Sequence, residues 1–204
     1  MIKIVILILF NSLICESLGY DVYFKKINVG SAILKSKQIN DDSNEILFTM
    51  KTKKFIDFVY KIREKITMVV NKDNYSLAYI KKNTRHKNQF IKYEKNIDNK
   101  IKLYDPISII YYLRNQKLFL DKSFIFNVFK PNNNQQIGMQ VIGEELIYSM
   151  KKNHACFILA PFNDSHEKGK VKIWISKEDK IPIIIEQHGK SGKIIMKLNK
   201  IIND

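Results

Sequence analysis

The 204-residue sequence is poor in the residues that staple or punctuate small scaffolds: two cysteines, four prolines, seven glycines and one tryptophan. Two cysteines exclude a disulfide framework and cannot supply a four-thiolate zinc site. Collagen-like, mucin-like and coiled-coil architectures lack their compositional or periodic signatures. Arginine is scarce as well: Arg63, Arg85 and Arg114 stand against thirty-two lysines. Readers of bases and phosphates favour arginine for its bidentate fork, and the lysines are scattered as pairs at 25–26, 53–54, 81–82 and 151–152 with no long basic block. Lysine, isoleucine and asparagine have AT-rich codons, so part of the net charge of +15 records base composition. Nucleic acid is therefore not expected as a partner, whereas attraction to an anionic lipid or glycan outside the cytoplasm fits the charge.

Catalytic signatures are also lacking. There is no Gly-x-Ser-x-Gly elbow, Walker loop or paired-histidine zinc helix, and Gly189-Lys190-Ser191 lacks the upstream glycine of a phosphate loop. His86, His154, His166 and His188 lie in separate segments without metal-ligand spacing. An enzyme, a cofactor and a metal are not expected; an enzyme with an unfamiliar site is the last alternative.

What is present is apolar surface, with 45% hydrophobic residues including 12 Phe and 10 Tyr, ample for one globular core. Met1-Ile2-Lys3, the apolar run Ile4–Ile14 and the small residues of Ser17-Leu18-Gly19 have the pattern of a secretory signal peptide cut after Gly19. The run is too short to span a bilayer permanently, and no later segment is long enough. Cys15 after Ser12-Leu13-Ile14 offers a lipoprotein alternative, though bulky Ile14 suits it poorly. This divides the chain into a signal peptide, 1–19, and one β-rich domain, 20–204. After removal of Cys15, Cys156 among Ala155, Phe157 and Ile158 is expected to be a buried, inert thiol.

Alternation predicts short strands: Tyr20–Phe24 and Ala32–Leu34 about a turn at 28–30, then Ile46–Lys51 and a long period-two run from Phe58 to Val70. Period two is preferred to a helix over 55–66. Further strands are expected at Phe124–Phe129, Ile137–Ile142, Ala155–Ala160, Lys170–Ser176, Ile181–Gln187 and Lys193–Leu198, the last two about a hairpin at 188–192. Polar loops punctuate them at 40–44, 71–74 and 131–135. One segment departs from this period. Asp105 caps, Pro106 opens, and Ile109, Ile110 and Leu113 recur at helical spacing, predicting a helix over about 106–115. The expected fold is mainly β: a curved antiparallel sheet or half-barrel with this helix packed on its concave face.

Three segments together, Asp105-Pro-Ile-Ser-Ile-Ile-Tyr-Tyr-Leu-Arg114, Tyr20-Asp-Val-Tyr-Phe24 followed by Gly30, and Val171-Lys-Ile-Trp-Ile-Ser through Pro182, resemble the domain-of-unknown-function family 3108. The resemblance implies an exported, mainly periplasmic bacterial protein with a curved β-sheet, akin to the half-barrels of periplasmic lipoprotein carriers. It brings no activity.

Five residues are ligand-binding candidates whose first reading is structural: Asp105, Ser108, Tyr112 and Arg114 on the helix, and Trp174 in a strand. Asp105 caps amides, and Arg114 can neutralise a carboxylate or the helix C-terminal dipole. Trp174 between Ile173 and Ile175 suits an anchor before a hairpin. Two functions follow. One is a non-catalytic carrier or chaperone holding a lipid or other apolar ligand in the sheet's concavity; the other is a structural or protein-interaction module of the cell envelope whose concavity its own helix fills. A monomer is expected.

Overall fold

The computed structural model describes residues 15–87, 89–98, 100–162, 171–189 and 192–203. Of the expected signal peptide, residues 1–14 lie outside this set.

Among the described residues the chain runs β1 (Cys15–Phe24), β2 (Ile27–Gln38), β3 (Ser43–Thr52), α1 (Lys54–Asp57), β4 (Ile62–Asn71), β5 (Leu77–His86), β6 (Gln89–Asn96), β7 (Leu103–Tyr104) and α2 (Pro106–Arg114). It continues as β8 (Ser123–Val128), β9 (Gln135–Ser149), β10 (Lys152–Phe162), β11 (Val171–Ser176), β12 (Pro182–Gly189) and β13 (Gly192–Asn203). All thirteen strands form one open sheet, in the order β6-β5-β4-β3-β2-β1-β13-β12-β11-β10-β9-β8-β7. Neighbours are antiparallel except β7 and β8. Two meanders thus meet where β1 pairs β13, and the chain crosses between the free edges, β6 and β7, before entering α2.

Alternation sets the inner face. Leu18, Tyr20 and Val22 of β1 point inward with Leu34 of β2, Ile46 and Phe48 of β3, and Ile66 and Met68 of β4. Bulges beside Gly19, Val22, Val69 and Ile158 bend the strands and increase their twist, so the sheet curls. Ile109, Ile110, Tyr111 and Leu113 of α2 join the same apolar cluster as these strand residues. The expected architecture is observed, with the helix packed on the sheet's concave face.

Four details differ from the sequence-based expectation. The first turn lies at Lys25–Lys26, both at positive φ (47° and 69°), as a two-residue hairpin whose twist matches its strands requires. Gly30 instead lies inside β2, where a Cβ would come 2.3 Å from the Lys51 carbonyl oxygen, so its role is close backbone approach. The run from Phe58 becomes a strand only at Ile62; Lys54–Asp57 is a helical turn and Phe58–Tyr60 an exposed connection. Strands β5, β6 and β7 were not expected, because 81–96 is too rich in Lys, Asn and Arg to show apolar alternation. At the last hairpin Gly189 pairs with Gly192, and residues 190–191 lie outside the described set. Among the described residues, no helix is long and apolar enough to cross a membrane.

Candidate functional site

Four of the five candidate residues belong to α2. Asp105 is extended (φ −97°, ψ 152°), and its carboxylate accepts from the Ile107 amide at 2.8 Å. The Ser108 hydroxyl accepts from the Asp105 amide at 3.0 Å, closing a reciprocal cap, and Pro106 fills the position that needs no donor. Asp105 is buried, which pushes its carboxyl up to about 6; the Ile107 amide and Lys82 pull against that shift and Glu64 adds to it. Facing it from the sheet, the Lys82 ammonium lies 2.9 Å from Glu64, with both side chains mostly covered. Burial opposes the Lys82 charge, yet Glu64 outweighs it and holds the ammonium above its ordinary range.

The other end of α2 is anchored by Arg114, whose guanidinium forms a bidentate pair with Glu16 of β1, both contacts 2.6 Å. Its Nε–H donates to the Lys180 carbonyl at 2.6 Å, and its plane lies 5.1 Å from the Tyr111 ring. Beside it the Tyr20 hydroxyl donates to the Pro182 carbonyl at 2.9 Å. Burial pushes the Tyr111 phenol far above its usual range, and its hydroxyl has no partner among the described residues. Tyr112 packs edge-to-face against Tyr104, Phe124 and Phe126. These contacts tie the helix to β1, β7, β8 and the turn before β12. The arrangement positions α2 and engages Asp105, Ser108 and Arg114 with the protein itself.

Trp174 lies apart from the other four. It pairs in register with Ile158 and Ile184, donates from its indole to Glu145 at 2.7 Å, and carries the Lys172 ammonium 4.8 Å above its ring. His154 and Cys156 are both buried on β10; the imidazole faces Asp179 at 3.4 Å and the Ser149 carbonyl at 3.2 Å. Burial raises the Cys156 thiol to about 11.

The structure adds a site on the opposite face of the sheet. A groove of about 550 Å³ crosses the outward side of β2–β6. One row runs in register through Ser31, Lys51, Arg63, Arg85 and Phe90, and the next through Ile33, Thr49, Lys65, Asn83 and Lys92. Arg85 lies 5.0 Å from the centre of the Phe90 ring, and Arg63 is held by Asp57. Ile33, Phe90 and the aliphatic stems of the cations supply apolar surface along these two rows, and the row between them, Met50, Glu64, Thr84 and Ile91, alternates to the other face. Within the 58–70 run, the parity that sends Ile62, Ile66 and Met68 inward sends Arg63 and Lys65 outward. Only the unseen pairing with β5 and β6 brought Arg85, Phe90 and Lys92 beside them.

A family model described as protein of unknown function DUF3108 matches residues 19–199. No curated protein matches the chain. Among solved structures, a beta-barrel-like protein of domain of unknown function DUF1849 from Brucella abortus superposes with a TM-score of 0.60 at 10% identity, covering 94% of this chain and 98% of that one. The hypothetical protein CT021 from Chlamydia trachomatis gives a TM-score of 0.42 at 10% identity, covering 91% and 87%.

Proposed function

We propose that the protein, which belongs to the DUF3108 family, is an exported, non-catalytic binding protein of the bacterial cell envelope that holds an amphiphile, an apolar chain with an anionic head, in the outward groove of β2–β6. Export is supported by the basic start and short apolar run at 1–14. The carrying observation is the groove. Its volume lies in the range of small-molecule sites, and its lining combines Ile33, Phe90 and the aliphatic stems of lysines and arginines with their cationic heads. On the concave face, which the sequence suggested as the ligand's place, α2 packs into the apolar cluster, and the groove lies on the other face. Each buried methylene contributes about 0.8 kcal/mol, and the lysines add a salt-sensitive supplement.

Titration with a fluorescent fatty acid tests this. Binding is expected to persist in about 0.5 M salt, where a single-stranded oligonucleotide would be released by counterion competition. Ile33→Glu, which places a carboxylate among the groove's lining residues without touching the core, should weaken the probe at least roughly tenfold. No probe binding at either salt concentration would refute the reading. The packing of α2 on the concave face supports a second reading, a protein-interaction module of the envelope.

A further inference from the structure

The end of the sheet next to the groove carries an apolar, cationic rim. Three connections converge there: the Lys25–Lys26 turn, the Lys53–Lys61 connection around α1, and the turn at Lys87. The register requires it, because Gly30 of β2 pairs with Thr52 at the end of β3, and Ile62 at the start of β4 pairs with His86 at the end of β5. Two of the connections also touch. The Lys87 amide donates to the Lys61 carbonyl at 2.8 Å, and the Lys87 ammonium lies 5.1 Å from the Tyr60 ring.

Phe58 is 96% exposed, Val59 74% and Phe55 65% on the 53–61 connection, and Phe90 70% at the start of β6 beside the Lys87 turn, so four large apolar side chains stand in water at this end. A contiguous apolar exposure of this kind marks an interaction surface. Around them stand Lys25, Lys26, Lys53, Lys54, Lys61 and Lys87. Among the described residues, none of the six is in an ion pair with a carboxylate, whereas the nearest acidic group, Asp57, is taken up by Arg63 and Thr52.

We propose that this rim docks on the surface of an anionic phospholipid bilayer, with Phe55, Phe58, Val59 and Phe90 entering the interface and the lysines meeting the headgroups. The charge selects this occupant. A copy of the same basic rim would be repelled, while a leaflet of anionic lipid supplies both the apolar depth and the opposite charge. Tyr60 and Phe55 bracket the same turn, as aromatic side chains do at membrane–water boundaries. The proposal goes beyond groove binding and stands whether or not the groove takes a ligand.

Sedimentation with sonicated vesicles of phosphatidylcholine alone, or with added phosphatidylglycerol, tests it on the full folded chain. The protein should partition onto the anionic vesicles and much less onto the neutral ones. Phe55→Ser/Phe58→Ser and Lys53→Glu/Lys54→Glu should each lower that partition roughly tenfold or more, with an unchanged circular dichroism spectrum and melting temperature. Monomeric fatty-acid probe affinity should be unchanged in these variants, and Ile33→Glu should lose the probe while keeping the vesicles, so failure of one reading is distinguishable from failure of the other. Absence of partition by the unaltered protein, or partition undiminished in both double variants, would overturn the proposal. So would a concentration-dependent dimer abolished by Phe58→Ser, which would assign the rim to a second copy.

Discussion

Asp105 shows how one side chain can help and hinder the same fold. Its carboxylate caps α2, worth about 0.5–2 kcal/mol, yet it does so from a buried position that disfavours its charge. With a folded pKa of about 6 and an unfolded value of about 3.9, the native state holds the extra proton between roughly pH 4 and pH 6. Stability from this group therefore falls as pH rises through that window, by an amount on the order of 3 kcal/mol, and stays lowered above it. Asp105→Asn keeps the cap without the charge. It is expected to raise the melting temperature relative to the unaltered protein at pH 8 and to change it little at pH 4, while Asp105→Ala lowers it at pH 4. Melts at both pH values check this; an equal effect of the Asn variant at both would remove the buried charge from the account. The cap was legible in the Asp-Pro pair. Its burial was not, because Lys82 and Glu64 come from strands far away in the chain.

Elements gain their roles from partners rather than from their own sequences. In β1, Leu18 is fully buried between Leu34 of β2 and Ile201 of β13, and Glu16 holds Arg114. Export cleavage after Gly19 would take Cys15–Gly19 out of the sheet. A chain beginning at Tyr20 is expected to melt about 10 °C below one beginning at Cys15, since loss of a buried leucine costs about 2–5 kcal/mol and Arg114 is left without its carboxylate. Comparative melts decide it, and equal melting would mean that the first half of β1 is dispensable. The connection 53–61 teaches the converse. Phe58 and Tyr60 continue the parity of the strand that follows, but no neighbouring strand extends far enough to pair them, so their alternation buries nothing.

At the scale of the whole molecule, one sheet encloses one core to which every strand from β1 to β5 and β7 to β13 contributes, with α2 at its centre. The two meanders share that core. Unfolding should accordingly be a single transition, with the fluorescence of Trp174, the sole tryptophan, and far-ultraviolet circular dichroism superimposable across a urea titration. Separate midpoints would show that β2–β6 opens independently of β8–β12. The outer strand β6 is exposed along nearly its whole length and carries Lys92, Glu94 and Lys95, which suits an unpaired edge that must not recruit another sheet.

By itself the sequence determined the class of the fold, the helix with its cap, most strands of the apolar meanders, and the scattered, lysine-rich character of its charge. These depend on local period and local chemistry: alternation separates two faces, and Asp-Pro ahead of a helical stripe starts a helix. The tertiary structure alone decided that Glu16 and Arg114 meet across the chain, that the turn lies at Lys25–Lys26, and that Arg63, Lys65, Arg85 and Lys92 line one groove. The reason is physical. A strand's period tells which side chains share its face, but register and neighbour order are set by burial summed over the whole sheet, and the polar residues of β5 and β6 carry too little of that burial to announce their place.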